Sequence, residues 1–322
     1  MTVNNLLALV LPAYKGAFLA DALESLAAQT DKAFRVYIGD DASPEALEPI
    51  AQRFRGRLDV VYHRFGENAG GRSMAEQWNR CVHLTSEPWV WLFSDDDVAD
   101  AGCVAAWRKL LAETNSPPDV YRFQTRTIDG TGRTLRLNPS HPEHESSLGF
   151  VYHRLQRQRL SYACEYIFSR ASFDRSDGFV DFPLAWCSDD ASWALFARDT
   201  GIRAVPGPRV GWRISDRNIS GATGVTGRAL KREALLRYLE WLSPRIMTEF
   251  TDTDLTEALV RQAIPGWFWH QLLVADVPCD QASLKRLRAV SSERGSLRCI
   301  RHNANLQMQR ARQCLKKFLG RP

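Results

Sequence analysis

The 322-residue sequence predicts an α/β fold, in which helices flank a sheet that is parallel in its first half. Apolar runs of strand length alternate with segments of helical periodicity through the first hundred residues. An apolar fraction of 44% is sufficient for a large core. Acidic residues directly follow two of the strand-like runs, which predicts a site at the carboxyl ends of parallel strands.

The first half of the sequence alternates strands and helices in the manner of a doubly wound sheet. Four runs are predicted as strands: Leu6 to Leu11, Phe34 to Ile38, Leu58 to Tyr62, and the aromatic run that begins at Trp89. Helical periodicity lies between them, over 18–27, from Pro44 onward, and over 73–85. This order predicts a parallel sheet with helices on both faces.

The second half is less regular. A helix is predicted over 103–113, and strands over 120–124, 163–168, 202–205 and 209–213, with a mobile polar loop at 129–148. Helices are predicted over 228–248, 252–273 and, with interruptions, 281–318. We therefore divide the chain into an α/β domain of residues 1–224, with halves 1–98 and 99–224, and a helical, basic region of residues 225–322.

Two acidic clusters are predicted to share one edge of the sheet. Asp95, Asp96 and Asp97 end the Trp89 strand, and Asp40 and Asp41 end the second strand. Adjacent carboxylates repel one another unless a cation lies among them, and Mg²⁺ and Mn²⁺ prefer such oxygens. The triplet alone is also compatible with a solvated turn whose Asp caps the next helix. Two clusters at one edge favour a negatively charged pocket that binds a ligand.

A third acidic pair, Asp189 and Asp190, lies among apolar residues before a predicted helix that extends to about Asp199. Carboxylates in the first turn of a helix are favoured by the helix dipole, so a structural role is one interpretation. A carboxylate that faces a cleft with apolar neighbours would instead gain basicity and act as a general base.

The first loop, Leu11 to Gly16, argues against two kinds of nucleotide site. It lacks the Gly-x-Gly-x-x-Gly pattern of dinucleotide-binding proteins, and it lacks the glycine-rich, Arg-bearing loop of a sugar nucleotidyltransferase. We therefore expect a divalent cation, Mn²⁺ or Mg²⁺, to hold any diphosphate.

Five segments together resemble a known family. They are Val10-Leu-Pro-Ala-Tyr14, Leu23-x-x-Leu-x-x-Gln-Thr30, Ile38-Gly-Asp-Asp-Ala-Ser43, Asn68-x-x-Gly71 and Phe93-Ser-Asp-Asp-Asp-Val98. In this order they resemble the amino-terminal half of family 2 inverting glycosyltransferases, which have the GT-A fold. The resemblance covers residues 6–98 and continues more loosely to about residue 220.

The resemblance implies roles for individual residues. Pro12, Ala13 and Tyr14 would line the nucleotide base, which Asp41 would bind with support from Asp40. Arg72, beside the Asn68 loop, would approach base or phosphate. Asp95 and Asp96 would match the metal and ribose acids of the family, with Asp96 the first choice as direct metal ligand.

The sequence departs from the family in two places. Ser94 stands where many relatives have Asp, so the sequence leaves open which of Asp95, Asp96 and Asp97 binds the metal directly. Relatives often have a His near the diphosphate; here either Arg213 substitutes for it or the ion has fewer protein ligands. Arg213 and Arg217 are also the two cations that could meet a diphosphate. The segment that would carry the base aligns best through Asp190, and Asp189 remains the alternative.

Composition and charge indicate where the protein acts and which partners it can bind. No apolar run approaches the roughly 18 residues that span a bilayer, no signal peptide is evident, and seven dispersed cysteines fit a cytoplasmic protein. Residues 281–322 carry a net charge of +10, against −5 for residues 1–280. We expect this tail to make a peripheral contact with the inner face of the cytoplasmic membrane. Nucleic acid is a less favoured partner because few aromatic residues accompany the basic ones.

These observations predict a metal-dependent inverting glycosyltransferase that moves a sugar from a nucleotide-sugar, with UDP-sugar as the expected donor, to a glycan or lipid-linked acceptor in surface polysaccharide biosynthesis. The alternatives are a non-catalytic scaffold whose basic tail binds membrane or nucleic acid, and a sugar nucleotidyltransferase.

Overall fold

A mixed sheet of ten strands forms the centre of the molecule in the computed structural model, which describes residues 6–215, 224–291 and 301–308. The strands are β1 (Leu7–Ala13), β2 (Phe34–Asp40), β3 (Val60–Arg64), β4 (Trp89–Leu92), β5 (Val98–Ala99), β6 (Val120–Ile128), β7 (Thr134–Leu137), β8 (His144–Glu145), β9 (Tyr166–Ser169) and β10 (Ile202–Arg213). Their order is β3-β2-β1-β4-β9-β6-β10-β5, with β7 beside β6 and β8 beside β10.

Helices cover both faces of this sheet. They are α1 (Leu19–Ala27), α2 (Glu48–Gln52), α3 (Met74–Val82), α4 (Cys103–Ala112), α5 (Ser147–Leu155), α6 (Arg170–Arg175), α7 (Ser188–Phe196), α8 (Val225–Leu242), α9 (Glu257–Val274) and α10 (Gln281–Val290). A further helical segment covers 301–308. None of the helices in the described segments is long and apolar enough to cross a membrane.

The parallel rhythm predicted for the first half of the chain is confirmed. β1 pairs in parallel with both β2 and β4, and β2 pairs in parallel with β3. Because parallel neighbours end at the same edge, the residues after β1, β2 and β4 come together in space. The acidic clusters predicted from sequence follow two of these three strands.

The second half makes the sheet mixed. β9 pairs antiparallel with β4 and β6, whereas β6 and β10 are parallel. The sequence predicted two strands where the structure has the single strand β10. Its register with β6 shifts between Val205 and Arg209, where Pro206 and Pro208 lack the N–H groups that continuous pairing needs.

The prediction of a mobile loop at 129–148 was wrong. β7 pairs antiparallel with β6, β8 pairs with β10, and α5 begins at Ser147. The polar residues that suggested a loop instead form a tight turn, in which Asp129 Oδ1 accepts hydrogen bonds from the backbone N–H groups of Thr131 and Arg133.

Two hydrophobic cores lie on the two faces of the sheet. One contains α1, α2 and α4 against alternate residues of β1, such as Leu9. The other contains α3, α5 and α7 against the opposite residues, such as Val10, and it also contains the buried faces of α8, α9 and α10. The carboxyl-terminal helices therefore share a core with the sheet. The boundary proposed at residue 224 stays a prediction about folding units.

Candidate active site

A cavity of about 710 Å³ opens at the carboxyl ends of β1, β2 and β4. Asp41 and Asp96, which follow different strands, line the same cavity. The pair in α7 also reaches it. The residues suggested by the sequence that line this cavity are Pro12, Ala13, Tyr14, Asp41, Asn68, Asp95, Asp96, Asp97, Asp189 and Asp190. Three others, Asp40, Arg72 and Arg213, are not among its lining residues.

The end of β1 is held against the acidic strand end. Asp95 Oδ2 accepts hydrogen bonds from the backbone N–H groups of Tyr14 at 3.0 Å and Lys15 at 3.2 Å. This contact leaves the Tyr14 side chain 38% exposed at the cavity, where its ring can stack on a planar ligand. Asp95 therefore has a structural task as well as a position in the site.

Asp41 organises the loop that precedes α3. Its carboxylate accepts hydrogen bonds from the N–H groups of Ala69 at 2.8 Å and Gly70 at 2.9 Å, and it pairs with Arg80. The side chain is 4% exposed, and burial raises the pKa of its carboxyl. Its hydrogen-bonding capacity is largely used by the protein, so only part of it is available to a nucleotide base.

Asp40 lies elsewhere, contrary to its expected supporting role. Its carboxylate is fully buried and accepts hydrogen bonds from the N–H of Ser43 at 2.8 Å and from Arg64 at 2.6 Å, and also from the hydroxyl of Tyr62. These partners tie β2 to β3. Asp40 therefore fixes the end of β2. Its neighbour Asp41 faces the cavity instead, because successive side chains of an extended chain point to opposite sides.

The loop from Asn68 to Gly71 forms part of the cavity wall, but the neighbouring Arg72 does not. Asn68 Oδ1 accepts a hydrogen bond from the N–H of Gly71, and the loop leads into α3, which Ser73 caps. Arg72 points to solvent and pairs with Glu76 at 2.7 Å. In this position Arg72 is not among the residues that line the cavity.

Arg213 also takes a structural position. Its side chain is 1% exposed, and it donates hydrogen bonds to the carbonyl oxygen of Asp96 at 2.6 Å and to Asp21 Oδ2 at 3.1 Å. Its backbone N–H binds Asp97 Oδ1 at 2.8 Å. Arg213 therefore stabilises the backbone of the acidic segment after β4 from a position outside the cavity lining. The other cation considered from sequence, Arg217, lies outside the described residues.

The acidic triplet is electrostatically strained without a cation. Burial, with repulsion from Asp96, raises the pKa of Asp95 to about 6. Burial raises the pKa of Asp97 to about 6, and burial together with Asp97 raises the pKa of Asp96 to about 7. Lys15 lowers the pKa of Asp96 in part. Carboxyls that resist ionisation in this way favour a bound cation.

The third acidic pair begins α7 after a strained approach. Leu184, Ala185 and Cys187 have positive φ angles of 60°, 50° and 69°, which non-glycine residues rarely adopt. The turn places Asp189 and Asp190 in the first turn of α7, facing the cavity. Strain of this kind persists where the surrounding structure fixes it, and it is common at functional sites.

The two carboxylates of this pair differ in their surroundings. Asp190 is 6% exposed, and its Oδ2 accepts hydrogen bonds from Arg154 Nε at 2.9 Å and Nη2 at 2.6 Å. Its Oδ1 is buried without a hydrogen-bond partner. Asp189 is half-buried, and burial, with repulsion from Asp190, raises its pKa to about 7. One carboxylate is thus oriented by a cation, and the other is poised to titrate near neutral pH.

The chain matches a family model that identifies it. The model described as "Glycosyl transferase family 2" matches residues 8–176. The chain belongs to glycosyl transferase family 2. It is therefore a glycosyltransferase with the GT-A fold, as the resemblance predicted.

Solved structures share this fold at low sequence identity. TarS 1-349 of S. aureus in complex with UDP-GlcNAc has a TM-score of 0.64 at 15% identity, over 88% of this chain and 79% of that one. The mannosyltransferase PcManGT from Pyrobaculum calidifontis, in complex with GDP-Man and Mn²⁺, has a TM-score of 0.52 at 14% identity, over 94% and 84%. No curated protein matches the chain in sequence.

Several residues of this family 2 site were missed by the sequence analysis. Arg154 comes from α5 and Lys231 from α8, and Trp186, Trp267 and Gln271 also line the cavity. Single cations and tryptophans within helices carry no local signal of function.

Proposed function

We propose that this family 2 enzyme transfers a sugar, with inversion, from a nucleotide-sugar to a hydroxyl group of a glycan or lipid-linked acceptor in surface polysaccharide biosynthesis. UDP-sugar is the proposed donor. The observation that carries the proposal is the meeting of Asp41, Asp96 and the Asp189–Asp190 pair in one cavity. One wall offers acids to a donor and its cation, and another offers a base.

The donor would occupy the part of the cavity formed by β1, β2 and β4. Tyr14 is exposed there to stack on the base, and the loop fixed by Asp41 forms the adjacent wall. The relatives with bound UDP-GlcNAc and GDP-Man support a nucleotide-sugar in a cavity of this fold. A cavity of about 710 Å³ is of the size that such ligands occupy.

The acidic residues fit a divalent cation that is shared with the donor. In the described parts of the chain, no three His, Cys, Asp or Glu side chains group closely enough to form a metal site of their own. A cation would therefore be held by Asp96, with Asp95 or Asp97 nearby, and by diphosphate oxygens, as is usual for Mg²⁺. When bound, such an ion neutralises charge on the departing diphosphate. The raised pKa of Asp96 supports this fit.

We assign the general base to Asp190 and keep Asp189 as the alternative. Arg154 holds Asp190 Oδ2 from one side, so that Oδ1 could accept the proton of an attacking hydroxyl. The Asp190 carboxylate and Arg154, which orients it, form the usual pairing of a base with a second group. Asp189 has the better accessibility and a pKa near 7, which also suit a base.

Two measurements test this proposal. A thermal-shift panel of UDP-glucose, UDP-GlcNAc and GDP-mannose, with and without Mn²⁺, should show selective stabilisation by one class of donor. Transfer by Asp190→Asn should then fall by about a thousandfold or more with nucleotide binding intact. Retained transfer by Asp190→Asn together with its loss in Asp189→Asn would move the base to Asp189. Stabilisation by none of the donors would contradict the proposed function.

A further inference from the structure

Four consecutive residues before α7 all line the cavity. They are Leu184, Ala185, Trp186 and Cys187. Consecutive residues of a strand alternate between two faces, and a helix presents every third or fourth residue to one side, so neither element supplies such a run. The positive φ angles of Leu184, Ala185 and Cys187 bend the chain so that the whole run faces the cavity. Backbone strain that is maintained beside a cavity in this way indicates a functional surface.

Hydrogen bonds and ring packing hold this segment in place. The N–H of Phe182 donates to the hydroxyl of Ser188 at 2.9 Å, which closes a loop around the run. Within the loop, the N–H of Ala185 donates to the carbonyl oxygen of Phe182 at 2.8 Å. The ring of Phe182 packs against Tyr238 of α8, with the ring centroids 6.1 Å apart. The surface is therefore formed before a ligand arrives, which reduces the entropy that binding costs.

Trp186 is the largest side chain that the segment brings to the cavity. It is partly exposed, and the Nζ of Lys231 lies 4.6 Å from the centroid of its ring, a contact that orients the indole. Trp186 precedes Asp189 by three residues and therefore belongs to the wall that carries the proposed base. Tyr14, the exposed ring at the end of β1, is available to the nucleotide base on the donor wall.

Helix α9 continues the wall of Trp186. Tyr238, which packs against Phe182, also lies 5.3 Å from Trp267 when the ring centroids are compared. Trp267 and the partly exposed Gln271 line the same cavity. The base side of the cavity thus combines apolar ring surface with an amide group.

We propose that Trp186 is the platform of an acceptor subsite, and that the acceptor hydroxyl belongs to a pyranose ring rather than to an open-chain polyol. The proposal rests on the glycosyl transfer proposed above and adds the chemical class of the acceptor. A pyranose presents C–H groups on an apolar face that an indole ring can cover, and Gln271 offers its amide to a ring hydroxyl. A polyol has no fixed face of this kind and loses more rotational freedom on binding.

Saturation-transfer NMR observed on the ligand tests the subsite in the full-length protein with UDP and Mg²⁺. The probes are the methyl pyranosides of glucose, galactose, mannose and N-acetylglucosamine, each matched by the alditol of the same sugar. The wild type is compared with Trp186→Phe, Trp186→Leu and the control Tyr152→Ala. Tyr152, on α5, is partly exposed like Trp186 but is not among the residues that line the cavity. Thermal melting with UDP-glucose, UDP-GlcNAc and GDP-mannose is measured in parallel to report folding and donor binding.

The wild type should bind at least one pyranoside more tightly than the matching alditol, with the strongest saturation on the C–H groups of one face of the sugar. Trp186→Leu should weaken that binding roughly tenfold, because it loses the flat aromatic surface. Trp186→Phe should retain most of the affinity, and Tyr152→Ala should behave as the wild type.

Absence of pyranoside binding by the wild type, equal binding of pyranoside and alditol, or equal affinity in Trp186→Leu would overturn the acceptor subsite. Loss of nucleotide-sugar stabilisation in both Trp186 variants would overturn it too, because the ring would then serve the donor. The comparison of pyranoside with alditol needs no variant, so it decides the outcome even where a substitution impairs folding. Failure of the proposed function has a different signature, in which the wild type itself shows no stabilisation by any of the donors.

Discussion

Neutralising Asp189 and neutralising Asp190 should change stability in opposite directions, although the two residues are adjacent. The pKa of Asp189 is raised from 3.8 to about 7 by burial and by Asp190. The folded protein therefore binds a proton more tightly than the unfolded chain between these pH values. In this window the free energy of unfolding falls as pH rises. The ionised carboxylate of Asp189 thus opposes folding at pH 8.

The size of the Asp189 effect follows from its pKa. A difference of about 3 pKa units corresponds to at most about 4 kcal/mol at 1.36 kcal/mol per unit, and solvent at this half-buried site reduces it to ~2 kcal/mol. Asp189→Asn removes the titration. We expect the variant to gain about 2 kcal/mol over the wild type at pH 8 and about 1 kcal/mol or less at pH 5, where the carboxyl is protonated in the folded protein and ionised in the unfolded chain.

Asp190→Asn should instead lose stability at pH 8. The substitution removes the carboxylate that Arg154 binds at 2.6 Å, with side chains only 21% and 9% exposed. A largely buried guanidinium left without this partner costs ~2 kcal/mol or more. Here the two substitutions have the same chemistry and neighbouring positions, so each serves as the control for the other.

Urea unfolding at pH 5 and pH 8, followed by circular dichroism in EDTA without nucleotide, measures both effects. Chelation removes trace divalent ions, so the carboxylates of the cavity respond to protons alone. Equal changes for both variants at pH 8 would refute the electrostatic reasoning. So would a gain for Asp189→Asn that is independent of pH, because a packing effect would not titrate.

Three further predictions concern the donor wall and the tail. Gly70→Ala should weaken nucleotide binding roughly tenfold, because an added Cβ would lie 2.5 Å from Asp41 Oδ2 and displace the loop. Unchanged affinity by calorimetry would exclude a contribution of this loop to nucleotide binding. Asp96→Ala should abolish the Mn²⁺-dependent part of nucleotide affinity, whereas equal affinity with and without EDTA in the wild type would remove the metal role. That affinity should rise with pH as Asp96 ionises near pH 7. Replacing Lys316 and Lys317 with Gln should reduce flotation with liposomes that contain anionic lipid, and unchanged flotation would argue against a membrane contact through these residues.

Sequence patterns predicted the parallel half of the fold because its signals are local. Strands β1 and β4 of that half are buried on both faces and therefore read as continuous apolar runs, as in Leu7–Ala13. The carboxyl ends of parallel strands meet at one edge, so the sequence predicts that Asp41 and Asp96 lie together. The polar segment 129–148 was mistaken for a loop because its strands are short and exposed.

The direction of individual side chains was beyond the sequence. Asp40 and Asp41 form one acidic pair in the sequence, yet their side chains point in different directions. Asp40 lies in the contact between β2 and β3, and Asp41 faces the cavity. Arg213 has the charge of a phosphate ligand but braces the backbone of Asp96. Charge and position along the chain identify candidates, but neighbouring strands decide which of them a ligand can reach.

The wall that the sequence did not predict is the one expected to determine acceptor specificity. The donor wall is built from strand ends, whose acids are fixed by backbone contacts such as those of Asp95 with β1. The opposite wall is built from helix faces, where Lys231 and Trp267 point into the cavity from α8 and α9. Substitutions on these helix faces leave the backbone pairing of the strand ends unchanged, although Trp267 also packs in the core that α9 shares with the sheet. We therefore expect the determinants of acceptor choice to lie in the carboxyl-terminal helices, where a substitution can change acceptor contacts while the strand ends of the donor wall stay the same.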